Sequence, residues 1–204
     1  TEKTIEKHKT GKYVFRSREK MTFCGAPIIL NAFSNKVVVK VLIKDGEIIP
    51  KNTDIAIIKG AAQEIIMKER LVLNMIQHLS GISTNTSKYV KALKSKKIKI
   101  LDTRKTTPGL RLYEKYAVNK GGGGNHRLDL SSGIMVKDNH ISTSNTDKIY
   151  KNLEKVNHKI PIQIEVDSIN QITHKSIQIA NALLLDNMSP LEIKQCIKKK
   201  KIQK

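Results

Sequence analysis

From residue 98 onward one pattern recurs: a short aliphatic run, a polar loop, then an amphipathic stretch. "KIKIL" leads into "DTRKTTPG" and then "LRLYEKYAVNK"; "GIMV" leads into "KDNHIS" and "TDKIYKNLEKV". "IPIQIEV" leads into "DS" and "INQITHKSIQIA"; "ALLL" leads into "DNM" and "SPLEIKQCIKK". Strands that are apolar almost throughout are buried on both faces, and helices between them supply the crossovers that a parallel sheet needs. The helical stretches support this. Ile149, Leu153 and Val156 share one face, and Ser189, Pro190 and Glu192 supply an N-cap, a proline in the first turn and a capping box. About four such strands are legible, which is too few to close a barrel. The closing "CIKKKKIQK" reads as no regular element. The expectation is an α/β architecture with an incomplete, truncated β/α barrel.

The first part of the chain reads differently. "NKVVVKVLIKDGEIIPKNTDIAIIKG" holds two β-branched stretches around "KDGEIIP", with Asp45-Gly46 as turn chemistry. "APIILNAF" is compatible with a short helix. The period then changes: "EIIMKERLVLNMIQHLSGISTNTSKYVKAL" places Leu71, Met75, Leu79 and Ile82 at helical spacing. The domain change is placed at the approach to this helix, giving a β-rich domain over 1–66 and the partial barrel over 67–204.

The formal charge of +20 invites a nucleic-acid reading. Of the 38 basic residues only six are arginine (16, 18, 70, 104, 111 and 127), leaving 38 − 6 = 32 lysines spread along the whole chain. Aromatics are 4% of the sequence, so stacking platforms for bases are scarce. Lysine enrichment on solvated faces is the simpler account, and no nucleic-acid partner is expected. Nor is a membrane, because no apolar run approaches a span. Cys24 and Cys196 have no metal-ligand spacing and read as free thiols of a cytoplasmic protein.

Polar residues cluster where the aliphatic runs end, which in a β/α barrel is the chemical face. Thr103, Arg104 and Lys105 follow one run, Lys137 the next, then Glu165 and Asp186. "GGGGNHR" adds His126 and Arg127 behind four glycines. Five mostly cationic groups at one rim would repel unless a dense anion lies between them, so the reading is a pocket for a small polyanion. Glu165 and Asp186 suit Mg²⁺ or sugar hydroxyls, or simply offset the cations. Four glycines exceed what a helix C-cap needs and point to a close backbone approach.

The blocks "ERLVLNMIQHLSGIST", "LDTRKTTPGLRLYEKYAVNKGGGGNHRLDLSSGIMVKDNHI", "IPIQIEVDS" and "ALLLDNMSP" resemble the quinolinate phosphoribosyltransferase family over most of the chain. That resemblance implies an open β-sandwich-like N-terminal domain, a β/α barrel and a homodimer or higher oligomer with shared sites. The implied reaction converts quinolinate and phosphoribosyl pyrophosphate, with Mg²⁺, into nicotinate mononucleotide, pyrophosphate and CO₂ in NAD biosynthesis. By motif position it implies quinolinate contacts from Arg104, Lys105, His126, Arg127 and Lys137, with Thr103 beside them. It implies that Arg70 reaches a neighbouring subunit's site, and that Glu165 and Asp186 handle ribose and Mg²⁺. Lys105, Lys137, Glu165 and Asp186 are the implied catalytic set. The family continues beyond the position of "LDNMSP" with phosphate-binding loops, and Gln163 stands where it often has an acid. A non-catalytic remnant that keeps only the quinolinate pocket stays open as an alternative. So does a related phosphoribosyltransferase-like protein of metal-transport operons.

Overall fold

The computed structural model describes residues 4–6, 8–95, 97–156 and 160–202. The chain divides into two compact units, 1–126 and 127–204.

In the first unit, β1 (Thr10–Arg16), β3 (Val37–Val41) and β5 (Asp54–Ala61) form an antiparallel sheet in the order β1-β5-β3. Val39 pairs with Ile58, which in turn pairs with Tyr13 on the other side. β2 (Met21–Thr22) and β4 (Ile48–Ile49) make a small second sheet. β5 sits centrally because its "IAII" run is apolar on both faces. Ile58 is fully buried with Phe23, Ile29, Ile65 and Val72, and burying such a side chain contributes about 1.5–3 kcal/mol. The helix read in "APIILNAF" forms as α1 (Ala26–Asn31). Its first turn is capped from the Asp45-Gly46 turn, where Asp45 Oδ1 accepts the N–H groups of Gly25 and Ala26 at 2.9 Å each.

The long helix α2 spans Ala62–Ala92; of the aliphatic stripe read from spacing, Leu79 is buried with Ile82 packed beside it, but Leu71 is not part of the buried face. Leu71 is 68% exposed, whereas Ile65, Val72, Ile76, Leu79, Ser80, Ser83 and Thr86 are buried. Three of the eight buried α2 residues are hydroxyl-bearing, so apolar spacing does not mark the whole stripe. Ser80 accepts the Cys24 N–H, and Ser83 donates to the Ala117 carbonyl at 2.6 Å. In the first turn of α2, Glu64 bonds Lys68 at 2.8 Å and takes the Ser34 amide and hydroxyl at 2.7 and 2.6 Å. The Lys68 and Ser34 bonds lower its pKa from 4.5 to about 2. A depressed carboxyl stabilises the fold above its unfolded pKa, and that contribution is lost as pH falls from about 4.5 through about 2. The urea midpoint of the native chain is therefore expected to fall more between pH 5 and pH 2.5 than that of Glu64→Gln.

"LRLYEKYAVNK" forms α3 (Arg111–Lys120), packed on α2. "KIKIL" does not form a strand. Leu101 makes one parallel bridge, to Gly124, and Ile98 and Leu101 are 59% and 50% exposed. With the glycine run as its partner, the segment has no adjacent strand among the described residues on which to build a ladder.

The second unit carries the β/α alternation. β6 (Ile134–Val136), β7 (Ile162–Val166) and β8 (Ala182–Leu185) are parallel and adjacent in that order, with Val136 opposite Ile164 and Glu165 opposite Leu184. Ile162, Ile164 and Val166 are buried against Tyr150 and Leu153 of α5 (Thr146–Leu153) and against Cys196 of α7 (Pro190–Ile202). Gln163 and Glu165 alternate onto the opposite face.

Three further segments depart from expectation. "KDNHIS", expected as loop, forms the helical turn α4 (Asp138–Thr143), because the His140 ring Nδ1 accepts the Lys137 N–H at 3.0 Å and closes its start. "INQITHKSIQIA", expected as one helix, splits into a 3₁₀ turn (Ile169–Gln171) and α6 (His174–Ile179). Gln171 folds back onto the Asp167 amide, and Thr173 caps a new start through the Ser176 N–H. The lysine-rich tail, expected to be irregular, continues α7 to Ile202. Lysine is a good helix former; the Ser189–Glu192 box starts the helix as read, Cys196 anchors it and Lys199 bonds the Ile169 carbonyl. Among the described residues no helix is long and apolar enough to cross a membrane. Both cysteines are buried and free.

Candidate active site

Asp102 is the hub of the first unit's chemistry. Its carboxylate takes Lys115 Nζ at 2.5 Å, Asn125 Nδ2 at 2.6 Å and the His126 N–H at 2.7 Å. Lys115 and Asp102 are each 6% exposed at the side chain, and Lys115 also bonds the His126 carbonyl at 3.0 Å. A buried ion pair offsets its desolvation cost only with such additional bonds. The hub ties the residue preceding Thr103-Arg104-Lys105 to the exit of the glycine run, so two predicted segments, 103–105 and 126, are held side by side.

The glycine quartet does approach backbone closely, and the approach is to α2. A Cβ on Gly121 would lie 2.5 Å from the Ser83 carbonyl oxygen and 2.6 Å from Thr86 Cβ, and Gly122 has φ +89°. The run lets α3 turn back against α2 and deliver Asn125 and His126 to Asp102. Gly121→Ala is expected to lower stability by about 1–3 kcal/mol through overpacking, read as a lower thermal midpoint.

Beyond the hub, Thr103 and Lys105 are exposed, and the Thr103 hydroxyl accepts the Lys105 N–H at 3.1 Å. Arg104 is half-buried; its Nε is buried and has no hydrogen-bond partner among the described residues. The segment's far end is held by α3. Arg111 Nε donates to the Thr106 hydroxyl at 3.2 Å, and Glu114 takes the Thr107 N–H at 3.2 Å. The second Glu114 oxygen meets His78 Nε2 of α2 at 2.8 Å. Burial pushes the Glu114 carboxyl up, but the contacts with Thr107 and His78 outweigh it and leave its pKa below the ordinary value.

Arg70 is exposed on α2 and lines a groove of about 700 Å³ with Arg16, Arg18, Asn74, Asn85 and Lys88, a groove that none of residues 103–105 lines. Arg16 and Arg18 were not singled out by the sequence reading; arginine in so lysine-rich a chain was the signal available.

In the second unit, Arg127 donates to the Gly133 carbonyl at 2.8 Å and contacts Met135 Sδ at 3.4 Å. Lys137 follows β6 and pairs with Glu165 of β7 at 3.6 Å. Asp186 follows β8, its N–H bonded to the Val166 carbonyl at 2.9 Å and its carboxylate to Asn187 Nδ2. Lys137, Glu165 and Asp186 thus stand at the C-terminal ends of three adjacent parallel strands, the chemical end of a β/α barrel. Among the described residues no three His, Cys, Asp or Glu side chains converge as a metal cage.

Comparison with known proteins places the chain in a family. The family model described as "Quinolinate phosphoribosyl transferase, N-terminal domain" matches residues 1–80, and that for the C-terminal domain matches 82–204. The chain is 43% identical over 173 residues to a Bacillus subtilis (strain 168) protein named "Probable nicotinate-nucleotide pyrophosphorylase (carboxylating)", covering 82% of this chain. The chain spans 60% of that relative's length. Nicotinate-nucleotide pyrophosphorylase from Ehrlichia chaffeensis superposes with a TM-score of 0.90 at 35% identity, over 98% of this chain and 75% of that one. NadC from Streptococcus pyogenes gives 0.89 at 34%, over 99% and 73%. With both halves matched in order, the chain belongs to the quinolinate phosphoribosyl transferase family.

Proposed function

We propose that the chain carries out phosphoribosyl transfer to quinolinate with decarboxylation, yielding nicotinate mononucleotide, pyrophosphate and CO₂ for NAD biosynthesis. The observation that carries this reading is Arg104, whose buried Nε lacks a partner among the described residues. An unsatisfied guanidinium donor calls for an anion, and its fork matches a carboxylate. Arg104, Lys105, His126, Arg127 and Lys137, with Thr103, are assigned to quinolinate. Arg70 is assigned to the site of a neighbouring copy in a homodimer or higher oligomer, in the cytoplasm. Glu165 and Asp186 are assigned to the ribose and to Mg²⁺ accompanying the pyrophosphate. Two carboxylates fit that ion, which takes one or two protein carboxylates beside substrate phosphates, and bound there it would offset charge on the departing pyrophosphate.

The chemistry left to the protein is positioning and electrostatics. The cations orient the two carboxylates, and the Glu165 carboxylate, held by Lys137, presents negative charge where the ribose ring turns positive. Lys105, Lys137, Glu165 and Asp186 form the proposed catalytic set. Incubating the chain with quinolinate, phosphoribosyl pyrophosphate and Mg²⁺ tests the proposal. Nicotinate mononucleotide is the expected product, and its absence under conditions where both substrates are consumed by a positive-control enzyme contradicts the assignment.

A further inference from the structure

Three consecutive contacts from α3 hold the segment 102–107: Lys115 at Asp102, Arg111 at Thr106 and Glu114 at Thr107. Glu114 differs from the other two in that it also reaches another helix, sharing its second oxygen with His78 of α2. Its side chain is 12% exposed and that of His78 40%, so the bridge spans the edge of the packing between α2 and α3. Thr106 and Thr107 stand immediately after Arg104 and Lys105, and the Thr106 N–H bonds the Arg104 carbonyl at 3.0 Å. The segment has no strand ladder of its own to fix it, because Leu101 makes a single bridge. Where a loop lacks a ladder, side-chain bonds to its amides set its conformation, and a misplaced arginine loses its bidentate geometry.

We infer that Glu114 is a positioning residue: by bridging the Thr107 amide to His78 it sets the conformation in which Arg104 receives a carboxylate. This rests on the quinolinate assignment above, but the clamp itself is measurable without it. Glutamine at the same position keeps an oxygen that accepts the Thr107 N–H and removes the charge; alanine removes both.

The test uses the whole chain as wild type, Glu114→Ala and Glu114→Gln. It has two readouts: amide hydrogen exchange at Thr107, with Ile58 of the central strand as internal reference, and calorimetric titration with quinolinate. Glu114→Ala is expected to speed Thr107 exchange at least about tenfold and weaken quinolinate about tenfold, the effect of one hydrogen bond to a charged group. Glu114→Gln is expected to restore both to within about threefold. Ile58 exchange is expected to stay unchanged, which separates local release from loss of stability. Unchanged Thr107 exchange in Glu114→Ala, or a glutamine variant as impaired as alanine, overturns the inference. If wild type shows no quinolinate affinity, the functional assignment fails, and the exchange readout alone decides for or against the clamp.

Discussion

Lys115→Met is expected to cost about 3–5 kcal/mol of folding stability, the loss found when one partner of a buried ion pair is removed. Lys115 and Asp102 are both 6% exposed, so methionine leaves a carboxylate inside the protein without its cation. The Asn125 amide and the His126 N–H still reach Asp102, but neither carries charge. Against a typical total of about 5–15 kcal/mol, the shift is large enough to show directly as a lower urea midpoint. The double variant Lys115→Met with Asp102→Asn is expected to lose less than the sum of the two single changes, because the stranded charge is gone. A loss within about 0.5 kcal/mol, the level of an ordinary surface change, contradicts the role given to the pair.

Arg104→Ala is expected to weaken quinolinate at least about thirtyfold, as truncating a desolvated charged partner costs about 2–5 kcal/mol. Its side chain has a buried donor with no partner among the described residues, so the fold draws little from it and the thermal midpoint should hold. Arg104→Lys is not expected to rescue, since an ammonium cannot present two parallel donors to a carboxylate. Titration of the three proteins checks this, and unchanged affinity in the alanine variant removes Arg104 from the site.

Much of this was legible before any coordinates. The parallel sheet was readable because β6, β7 and β8 are aliphatic almost throughout, and the strand-end positions of Lys137, Glu165 and Asp186 followed from it. What the sequence hid has physical causes. Three of the eight buried residues of α2 are serine or threonine, which apolar spacing overlooks. The turn α4 is closed by an imidazole accepting a backbone N–H, a contact that composition does not encode. Lys115 was indistinguishable from the other lysines until Asp102 and His126 were found beside it. The glycine quartet announced a close approach without naming its partner, and the partner is α2.

The functional assignments depend on the chain gripping a compact molecule with two carboxylates. Titrating the unsubstituted chain with pyridine-2,3-dicarboxylate and, separately, with pyridine-3-carboxylate tests that most directly. Saturable binding of the dicarboxylate, weakened by salt and at least about tenfold tighter than the monocarboxylate, is the predicted result. Equal affinity for the two acids, or none for either, would contradict it.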